Sequence, residues 1–327
     1  MRFLIAVLLG IAIAASLSAE SARAGMRDGL SQVNAALQAG EADKALSLLS
    51  SLPPPEGSSA EAHNLRCRVL FTLEQFEAAK NECEQAVSLD PQNSMNHLWL
   101  GRAMGEVADR ANFLSAYNLA KRARAEFEQA VQLDPRNAEA LADLGEFYSS
   151  APGVVGGGMD KAANVAAQLD RVDPARAHEL RAAIARENKD LPGAERELKL
   201  AVAASAHPAF QWMRLASFYR KAKRYADMES AVESGFAAAQ RDSHAAVALF
   251  NGASALIKAN RNSALAIKLL EAYLALPAAT EEAPAFTARV WLAQLKAQTG
   301  DTEGARRERE LALALAQEYK PAQDLKM

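Results

Sequence analysis

Apolar and small residues recur along the chain at the spacing of amphipathic α-helices, every three to four positions. An early pair of such helices has its apolar faces at Leu30, Val33 and Leu37 and then at Ala42, Ala45 and Leu49. The last pair has Val290, Leu292 and Ala293, a turn at Gly300-Asp301, and then Ala305 and Ala312. The pattern therefore predicts pairs of short helices joined by turns.

A short phrase with Asp-Pro at its centre recurs between these helical patterns. It is Ser-Leu-Asp-Pro-Gln-Asn around Pro91, Gln-Leu-Asp-Pro-Arg-Asn around Pro135 and Arg-Val-Asp-Pro-Ala-Arg around Pro174. Proline cannot continue a helix, but it suits the start of the next one. Each phrase thus predicts the end of one helix and the start of another, and periodic helix pairs are typical of an α-solenoid.

Composition favours the same fold class. Alanine, the best helix former, accounts for 73 of the 327 residues, whereas glycine and proline number only 17 and 12. These proportions predict an all-α protein. Charged residues make up 24% of the chain and the net charge is −3, which argues against a surface built for nucleic acid.

The residues at these positions resemble the tetratricopeptide repeat, a helix–turn–helix of about 34 residues with the pattern W-x2-L-G-x2-Y, then A-x3-F-x2-A, then P. Residues Leu144 to Tyr148 fit the first half, and Trp212 to Tyr219 fit it with alanine in place of glycine. The second half is matched at Ala123, Phe127, Ala130 and Pro135. In such repeats one unit cannot bury its own apolar face, so several must stack.

The resemblance implies an all-α, right-handed α-solenoid of about seven tetratricopeptide-type hairpins over residues 60–327. The units are expected to begin near Ala60, Ser94, Ala138, Ala175, Ala209, Ala245 and Phe286. Residues 25–59 are expected to form an N-terminal helical pair and a proline-rich linker. The second unit is longer than the repeat, and we expect its second helix to be lengthened, with helical spacing at Phe113, Ala116, Tyr117 and Ala120.

Residues 1–24 have the features of an export signal. Met1-Arg2 is basic, Phe3 to Ala15 is an apolar run of 13 residues, and Ala22-Arg23-Ala24 is a small-x-small cleavage pattern. The run is shorter than the ~20 residues that a membrane-spanning helix needs. We expect cleavage after Ala24 and a periplasmic or secreted protein without stable membrane insertion. An uncleaved N-terminal anchor is the alternative.

Motifs for catalysis, cofactors and metals are missing from the sequence. The chain has no Gly-x-Ser-x-Gly elbow, and the Gly156-Gly157-Gly158 loop lacks the Gly-Lys-Ser/Thr of a phosphate-binding loop. No zinc spacing is found at the histidines, which are His63, His97, His178, His207 and His244. We therefore predict no enzyme activity, no catalytic residues, no cofactor and no metal. In the resemblance, His63, His97 and His178 occupy the tryptophan position, which implies packing.

The two cysteines fall on the two helices of one predicted hairpin. Cys67 lies on the first helix and Cys83 on the second, and the resemblance places these positions on facing sides. We expect their Cα atoms within about 7 Å of each other, which is the reach of a disulfide. An exported protein with two cysteines invites pairing. Two buried free thiols remain the alternative.

A binding surface is the functional site that the resemblance implies. Solenoids of this family present the first helix of each unit on a concave wall, and Trp and Arg are common interface residues. The exposed first-helix positions carried over to this chain are Asn64, Arg68, Trp99, Arg102, Phe210, Arg214, Ser217, Arg220, Trp291 and Gln294. The competing interpretation is that the tryptophans cover neighbouring helices and the arginines are solvated.

Two functions remain open at this point. The first is an exported, non-catalytic scaffold that binds another protein or peptide in the cell envelope. The second is a periplasmic solute-binding accessory protein that encloses a small ligand in the concavity. A closed, apolar-walled pocket beside residues 153–159 would favour the second function, and an open polar and aromatic groove would favour the first.

Overall fold

The computed structural model describes residues 29–242, 244–276 and 280–326, which form helices stacked in chain order. These residues contain no β-structure except one isolated bridge between Thr280 and Ala283. None of the helices described is both long and apolar enough to cross a bilayer. The predicted signal peptide lies outside the described residues.

An N-terminal hairpin and seven further hairpins make up the described fold. Helix α1 occupies 29–38 and α2 is Ala42–Ser51, followed by a 3-10 turn at Glu56–Ser58. The other hairpins, repeats 1 to 7, are α3 (Ala60–Thr72) and α4 (Phe76–Leu89), α5 (Ser94–Ala108) and α6 (Phe113–Leu133), α7 (Ala138–Ser150) and α8 (Met159–Leu169), α9 (Pro174–Glu187) and α10 (Leu191–Ala204), α11 (Pro208–Lys221) and α12 (Tyr225–Ala239), α13 (Ala246–Ala259) and α14 (Ser263–Leu274), and α15 (Ala285–Gln298) and α16 (Thr302–Leu315). A short helix, α17 (Lys320–Gln323), follows.

In five of the eight hairpins described, the turn between the two helices is closed by one residue in the left-handed region. Such residues, with φ between 59° and 90°, are Gly40, Glu74, Lys189, Lys223 and Gly300. At Glu74 the N–H bonds to the carbonyl of Phe71, and the next N–H bonds to the carbonyl of Leu70. This pair of bonds ends the first helix and lets the second begin at once.

The Asp-Pro phrases end one hairpin and start the next, as the sequence predicts. Helices α4 and α6 end just before Asp90 and Asp134, and the side chains of Asn93 and Asn137 then cap α5 and α7. Capping oxygens satisfy backbone N–H groups that have no partner inside the helix.

A histidine–glutamate pair joins the two helices of three hairpins. The Nδ1 atoms of His63, His97 and His178 lie 2.6, 2.6 and 2.8 Å from carboxylates of Glu82, Glu126 and Glu197. In repeat 7 the corresponding contact is Arg289 with Glu308 at 2.7 Å. His63, His97 and His178, at the position where the repeat family has tryptophan, therefore form polar contacts between the two helices of their hairpins.

Repeat 1 contains a disulfide between Cys67 on α3 and Cys83 on α4. Both residues are fully buried, and their Cα atoms are 5.3 Å apart. The bond closes a loop of about 17 residues, which stabilises the folded state by roughly 3 kcal/mol in the chain-entropy treatment.

Repeat 2 carries the lengthened second helix that the spacing predicts. Helix α6 has 21 residues where α4 has 14, and its first turn exposes Phe113 and Leu114. The glycine-rich segment after α7 folds back on α6, where Arg124 Nη1 donates to the Val155 carbonyl at 3.4 Å. Lys161 Nζ donates to the Gly156 carbonyl at 2.9 Å, so two side chains hold adjacent carbonyls in the middle of the segment.

The two ends of the stack meet, and the hairpins form a closed ring. One apolar cluster contains Leu30, Val33 and Leu37 of the N-terminal hairpin together with Phe286 and Tyr319 from the other end of the chain. Polar contacts cross the same seam. Gln317 N–H donates to Asp43 at 2.7 Å, and the Tyr319 hydroxyl donates to Glu74 at 3.2 Å.

Replacement of Phe286 by alanine tests this closure. Phe286 is 1% exposed and packs edge-to-face on Tyr319, with ring centroids 4.7 Å apart. The cavity left behind is expected to cost about 3–5 kcal/mol in the free energy of unfolding. Chemical denaturation of Phe286→Ala and of a control, Phe113→Ala, measures this.

Phe113 is 87% exposed, so its variant should stay within about 0.5 kcal/mol of the parent. Equal stability of the two variants would contradict the burial of Phe286 in the cluster formed where the two ends meet.

Candidate functional site

The first helices of the hairpins line a common interior, which we call the inner wall. Helix α3 packs on α5, α7 on α9, and α11 on α13. Charged contacts bridge neighbouring first helices as well. Arg102 on α5 donates to Asp143 and Glu139 of α7 at 2.6 and 3.0 Å.

The connection between α14 and α15 shows that these helices face one centre. Its Glu281 accepts from Arg68 on α3 at 2.9 and 2.5 Å and from Gln38 on α1 at 3.2 Å. Its neighbour Glu282 lies in the field of Arg102, Glu139 and Arg176, which belong to repeats 2, 3 and 4. One short segment can reach so many hairpins only because the ring surrounds it.

Four of the expected binding residues lie in the part of the inner wall that is already contacted by Glu281 and Glu282 of the same chain. The guanidinium groups of Arg68 and Arg102 lie 5.6 and 4.8 Å from the centre of the Trp99 ring. Trp99 is only 6% exposed and packs edge-to-face on Phe71, so it covers a neighbouring helix. Asn64 is also buried. The positive charges here are matched by carboxylates of the same chain.

The pKa of the Glu282 carboxyl is raised although the residue itself is exposed. Partial desolvation by the surrounding groups is the main cause and the nearby Glu139 carboxylate adds to it, whereas Arg102 and Arg176 act in the opposite direction. Charges at this part of the interior are therefore partly desolvated. Charges that remain unpaired there need a separate explanation.

A second part of the inner wall, on repeats 3 to 6, carries an excess of positive charge. Two adjoining cavities of about 140 and 130 Å³ share Arg214 and Ser217, and we call them together the basic groove. The cationic lining residues of the groove are Arg176, Arg186, Arg214, Arg220, Lys221 and Lys258. Only two carboxylates, Glu146 and Glu179, line it.

The two glutamates do not neutralise the groove. Glu179 lies 3.4 Å from Arg214 and accepts from Gln211 at 3.3 Å. Burial raises the pKa of Glu179, and Arg214 and Arg176 oppose that effect. Glu146 is exposed. Arg176 and Arg186 have partners outside the lining, Asp173 at 3.3 Å and Glu187 at 3.1 Å. The excess positive charge of the groove therefore lies mainly on Arg214, Arg220, Lys221 and Lys258.

Arg220 and Lys221 are two groove cations that form no salt bridge with a described residue. Arg220 Nε is buried and has no hydrogen-bond partner among the described residues. Lys221 is an exposed residue, but partial loss of solvent lowers its pKa, and Arg186, Arg220 and Arg214 lower it further, whereas Glu146 acts in the opposite direction. A cation crowded by three others is favourable only when an anion joins the group, so the groove has the electrostatics of an anion-binding site.

The remaining expected residues are mainly packing groups. Phe210 lies under the guanidinium group of Arg214, 6.0 Å from it, and packs on the core of repeats 4 to 7. Trp291 stacks on Phe250 with ring centroids 4.3 Å apart. Trp291 and Gln294 line a small cavity of about 50 Å³ in repeats 6 and 7.

Several groove residues were not among the sequence-based candidates. Arg176, Glu179 and Arg186 lie on α9, and Lys221 lies at the end of α11. A signal does exist, because Arg186 on α9 and Arg220 with Lys221 on α11 fall in the last turns of neighbouring first helices. Reading the basic ends of successive first helices together would have found the cluster.

Comparisons with known proteins point to the same family. The family model of the tetratricopeptide repeat matches residues 60–93, which is repeat 1 with the turn after it. No curated protein matches the chain significantly.

Similar solved structures have low sequence identity to the chain. One is a thermophilic TPR protein of Thermus thermophilus, 20% identical, covering 54% of this chain and 90% of that one with a TM-score of 0.44. Another is pilF of Pseudomonas aeruginosa, 14% identical, covering 82% and 97% with a TM-score of 0.37. A third is the C-terminal part of a TPR repeat-containing protein of Cytophaga hutchinsonii, 14% identical, covering 91% and 100% with a TM-score of 0.42.

Replacement of Lys221 by methionine tests the charge imbalance. Because the pKa of Lys221 is lowered in the folded state, its charged form is disfavoured there, and the cost is fully present at pH 7. We expect Lys221→Met to raise the unfolding temperature slightly at pH 7. The gain should vanish as the pH rises past the ordinary pKa of lysine, about 10.4.

The control is Lys199→Met on the outer helix α10. Lys199 lies 2.7 Å from Glu195, and this hydrogen bond raises the pKa of Lys199. Its loss should leave the unfolding temperature unchanged or slightly lower. Thermal denaturation at pH 7 and pH 11 separates the two variants, and destabilisation by Lys221→Met would show that the groove is electrostatically balanced.

Proposed function

The chain belongs to the tetratricopeptide-repeat proteins, which generally bind other proteins or peptides, and we propose that it is a non-catalytic scaffold that binds an acidic segment of a partner protein. The basic groove is the proposed contact. The observation that carries this proposal is the lining of six cations against two carboxylates, with Arg220 Nε buried and without a partner among the described residues.

The chemistry of the groove favours carboxylates. Arginine and carboxylate form charge-assisted hydrogen bonds that are about twice as strong as neutral ones. The chain as a whole has a net charge of −3, so the attraction is local to the groove and would not extend to a long polyanion. A short run of Asp or Glu, or a terminal carboxylate, has the matching charge and size.

The solute-binding alternative receives less support from the shape of the site. Eight of the 19 lining residues of the basic groove are charged, and none of the 19 comes from residues 153–159. An apolar-walled pocket beside that segment was the feature expected of a small-ligand enclosure. The two functions predict different competitors in solution, and the experiment below includes both.

Charge reversal in the groove tests the proposed function. We expect Arg214→Glu combined with Arg220→Glu to weaken binding of a fluorescent octaglutamate peptide by at least about tenfold, or ~1.4 kcal/mol. The control, Arg306→Glu with Arg307→Glu on α16, changes the net charge equally at exposed positions. Fluorescence anisotropy at low and high salt provides the measurement.

Three results would separate the possibilities. Equal weakening by both double variants would mean that only net charge matters and would contradict a specific groove. Binding of free glutamate or citrate as tightly as the peptide would favour the solute-binding function. Absence of peptide binding to the parent protein at low salt would end the proposal.

Glu179→Gln tests the same groove with a change that should increase peptide affinity. It removes the buried carboxylate 3.4 Å from Arg214 and frees that guanidinium group for the ligand. Affinity for the peptide should therefore increase. Glu310→Gln on the exposed surface of α16 is the matched control and should leave affinity unchanged.

We also propose that the protein works outside the cytoplasm, in the cell envelope. The export-signal pattern of residues 1–24 and the buried Cys67–Cys83 disulfide support this location, since structural disulfides persist in oxidising compartments. The mature protein is then expected to begin at Gly25.

Mass spectrometry of the protein purified from the periplasmic fraction and from the membrane fraction tests this location. The expected species lacks residues 1–24 and resists thiol labelling without reductant. Ala24→Arg should block cleavage and leave the full-length chain in the membrane fraction. Uncleaved parent protein in the membrane fraction would instead support the N-terminal anchor.

A further inference from the structure

Two loops at one edge of the stack bring together three side chains that can bind a metal. His207 directly precedes α11, and Asp242 and His244 lie in the connection between α12 and α13. Their potential ligand atoms all lie within 4.8 Å of one another. The cluster differs chemically from the basic groove: the groove is lined by cations, whereas this cluster contains two imidazoles and a carboxylate.

From this arrangement we propose that His207, Asp242 and His244 form a binding site for Zn²⁺ or a related first-row transition metal ion. The Nδ1 atoms of His207 and His244 lie 3.0 and 3.5 Å from Asp242 Oδ1. In a tetrahedral zinc site with bonds of about 2.0–2.1 Å, neighbouring ligand atoms are roughly 3.3 Å apart. The observed separations lie on either side of that value.

The carboxylate of Asp242 provides a second, independent observation. Its Oδ1 accepts from the His244 backbone N–H at 2.8 Å, which fixes the orientation of the group. Its Oδ2 is buried and has no hydrogen-bond partner among the described residues. A buried carboxylate oxygen without a donor is costly, and a cation bound by both oxygens of Asp242 would remove that cost.

The donor set selects the class of metal. Two imidazole nitrogens and one carboxylate oxygen suit zinc, copper or nickel better than calcium or magnesium, which prefer sites made entirely of oxygen. Both imidazoles are exposed to solvent, with side-chain exposures of 55% and 71%, so the ion can enter and water can complete its coordination. The site would connect the loop before α11 to the loop before α13.

The sequence motifs could not indicate this site. His207 and Asp242 are 35 residues apart, a separation that matches no metal motif. They meet because both loops precede the first helix of a repeat, and consecutive repeats place equivalent loops side by side. The prediction of no metal at the sequence level rested on motif spacing alone.

Titration of the mature, untagged protein with Zn²⁺ tests the proposal. We expect one ion bound per chain by isothermal calorimetry, and a higher unfolding temperature in its presence, because an ion that binds only the folded state stabilises it. Co²⁺ as a probe should give the strong visible bands of a four-coordinate site. His207→Ala and His244→Ala should each weaken Zn²⁺ binding by at least about tenfold, since each removes one of three ligands.

The control is His178→Gln, which alters a histidine outside the cluster. This variant should bind Zn²⁺ as the parent does. No binding by the parent at about 100 µM Zn²⁺, or unchanged binding by His207→Ala and His244→Ala, would overturn the proposal. The outcome is independent of the proposed function, because peptide binding in the basic groove requires no metal.

Discussion

Burial of the apolar face at the two ends of the stack is the constraint on which the rest of the structure depends. A helical hairpin cannot bury its own apolar face, and a linear stack leaves one such face exposed at each end. Here the ends cover each other, since Leu37 and Val33 share a cluster with Phe286 and Tyr319. No separate capping helix has to protect either end, and the exposed face of α16 can remain highly charged.

Closure has a direct electrostatic consequence. Once the ring is closed, the charged side chains of the first helices share one confined interior, where screening by water is weaker than on an open surface. The chain compensates part of that interior itself, with Glu281 on Arg68 and Asp143 on Arg102. The basic groove keeps Arg220 and Lys221 without a salt bridge to a described residue. Proteins commonly retain such local instability where binding requires it.

The sequence predicted the hairpins well because their determinants are local. Asp-Pro phrases, capping asparagines and small residues at fixed spacing all act within one repeat. Gly101 illustrates this, because a Cβ at that position would lie 2.6 Å from the Phe127 ring of the same hairpin. The lengthened α6 could likewise be inferred from the spacing of Phe113 and Tyr117.

The interior could not be predicted in the same way. Whether Glu281 reaches Arg68, or His207 reaches Asp242, depends on the small rotation between successive hairpins, summed over several repeats. No single residue encodes that sum. Carrying over first-helix positions therefore identified Arg214 and Arg220 in the groove, but it also selected Trp99 and Trp291, whose rings are used for packing. Position along a repeat predicts which wall a residue faces, and not whether the chain already occupies that part of the wall.

Helix α3 connects the closure to the remainder of the ring. Its Leu65 and Val69 belong to the cluster formed by the two chain ends, while Cys67, on another face, belongs to the cluster of repeats 1 to 4. The disulfide attaches α3 to α4 at that junction. In repeat 1 it restrains the helix through which the terminal contacts and the inner wall are coupled, since Arg68 of the same helix holds Glu281 in the interior.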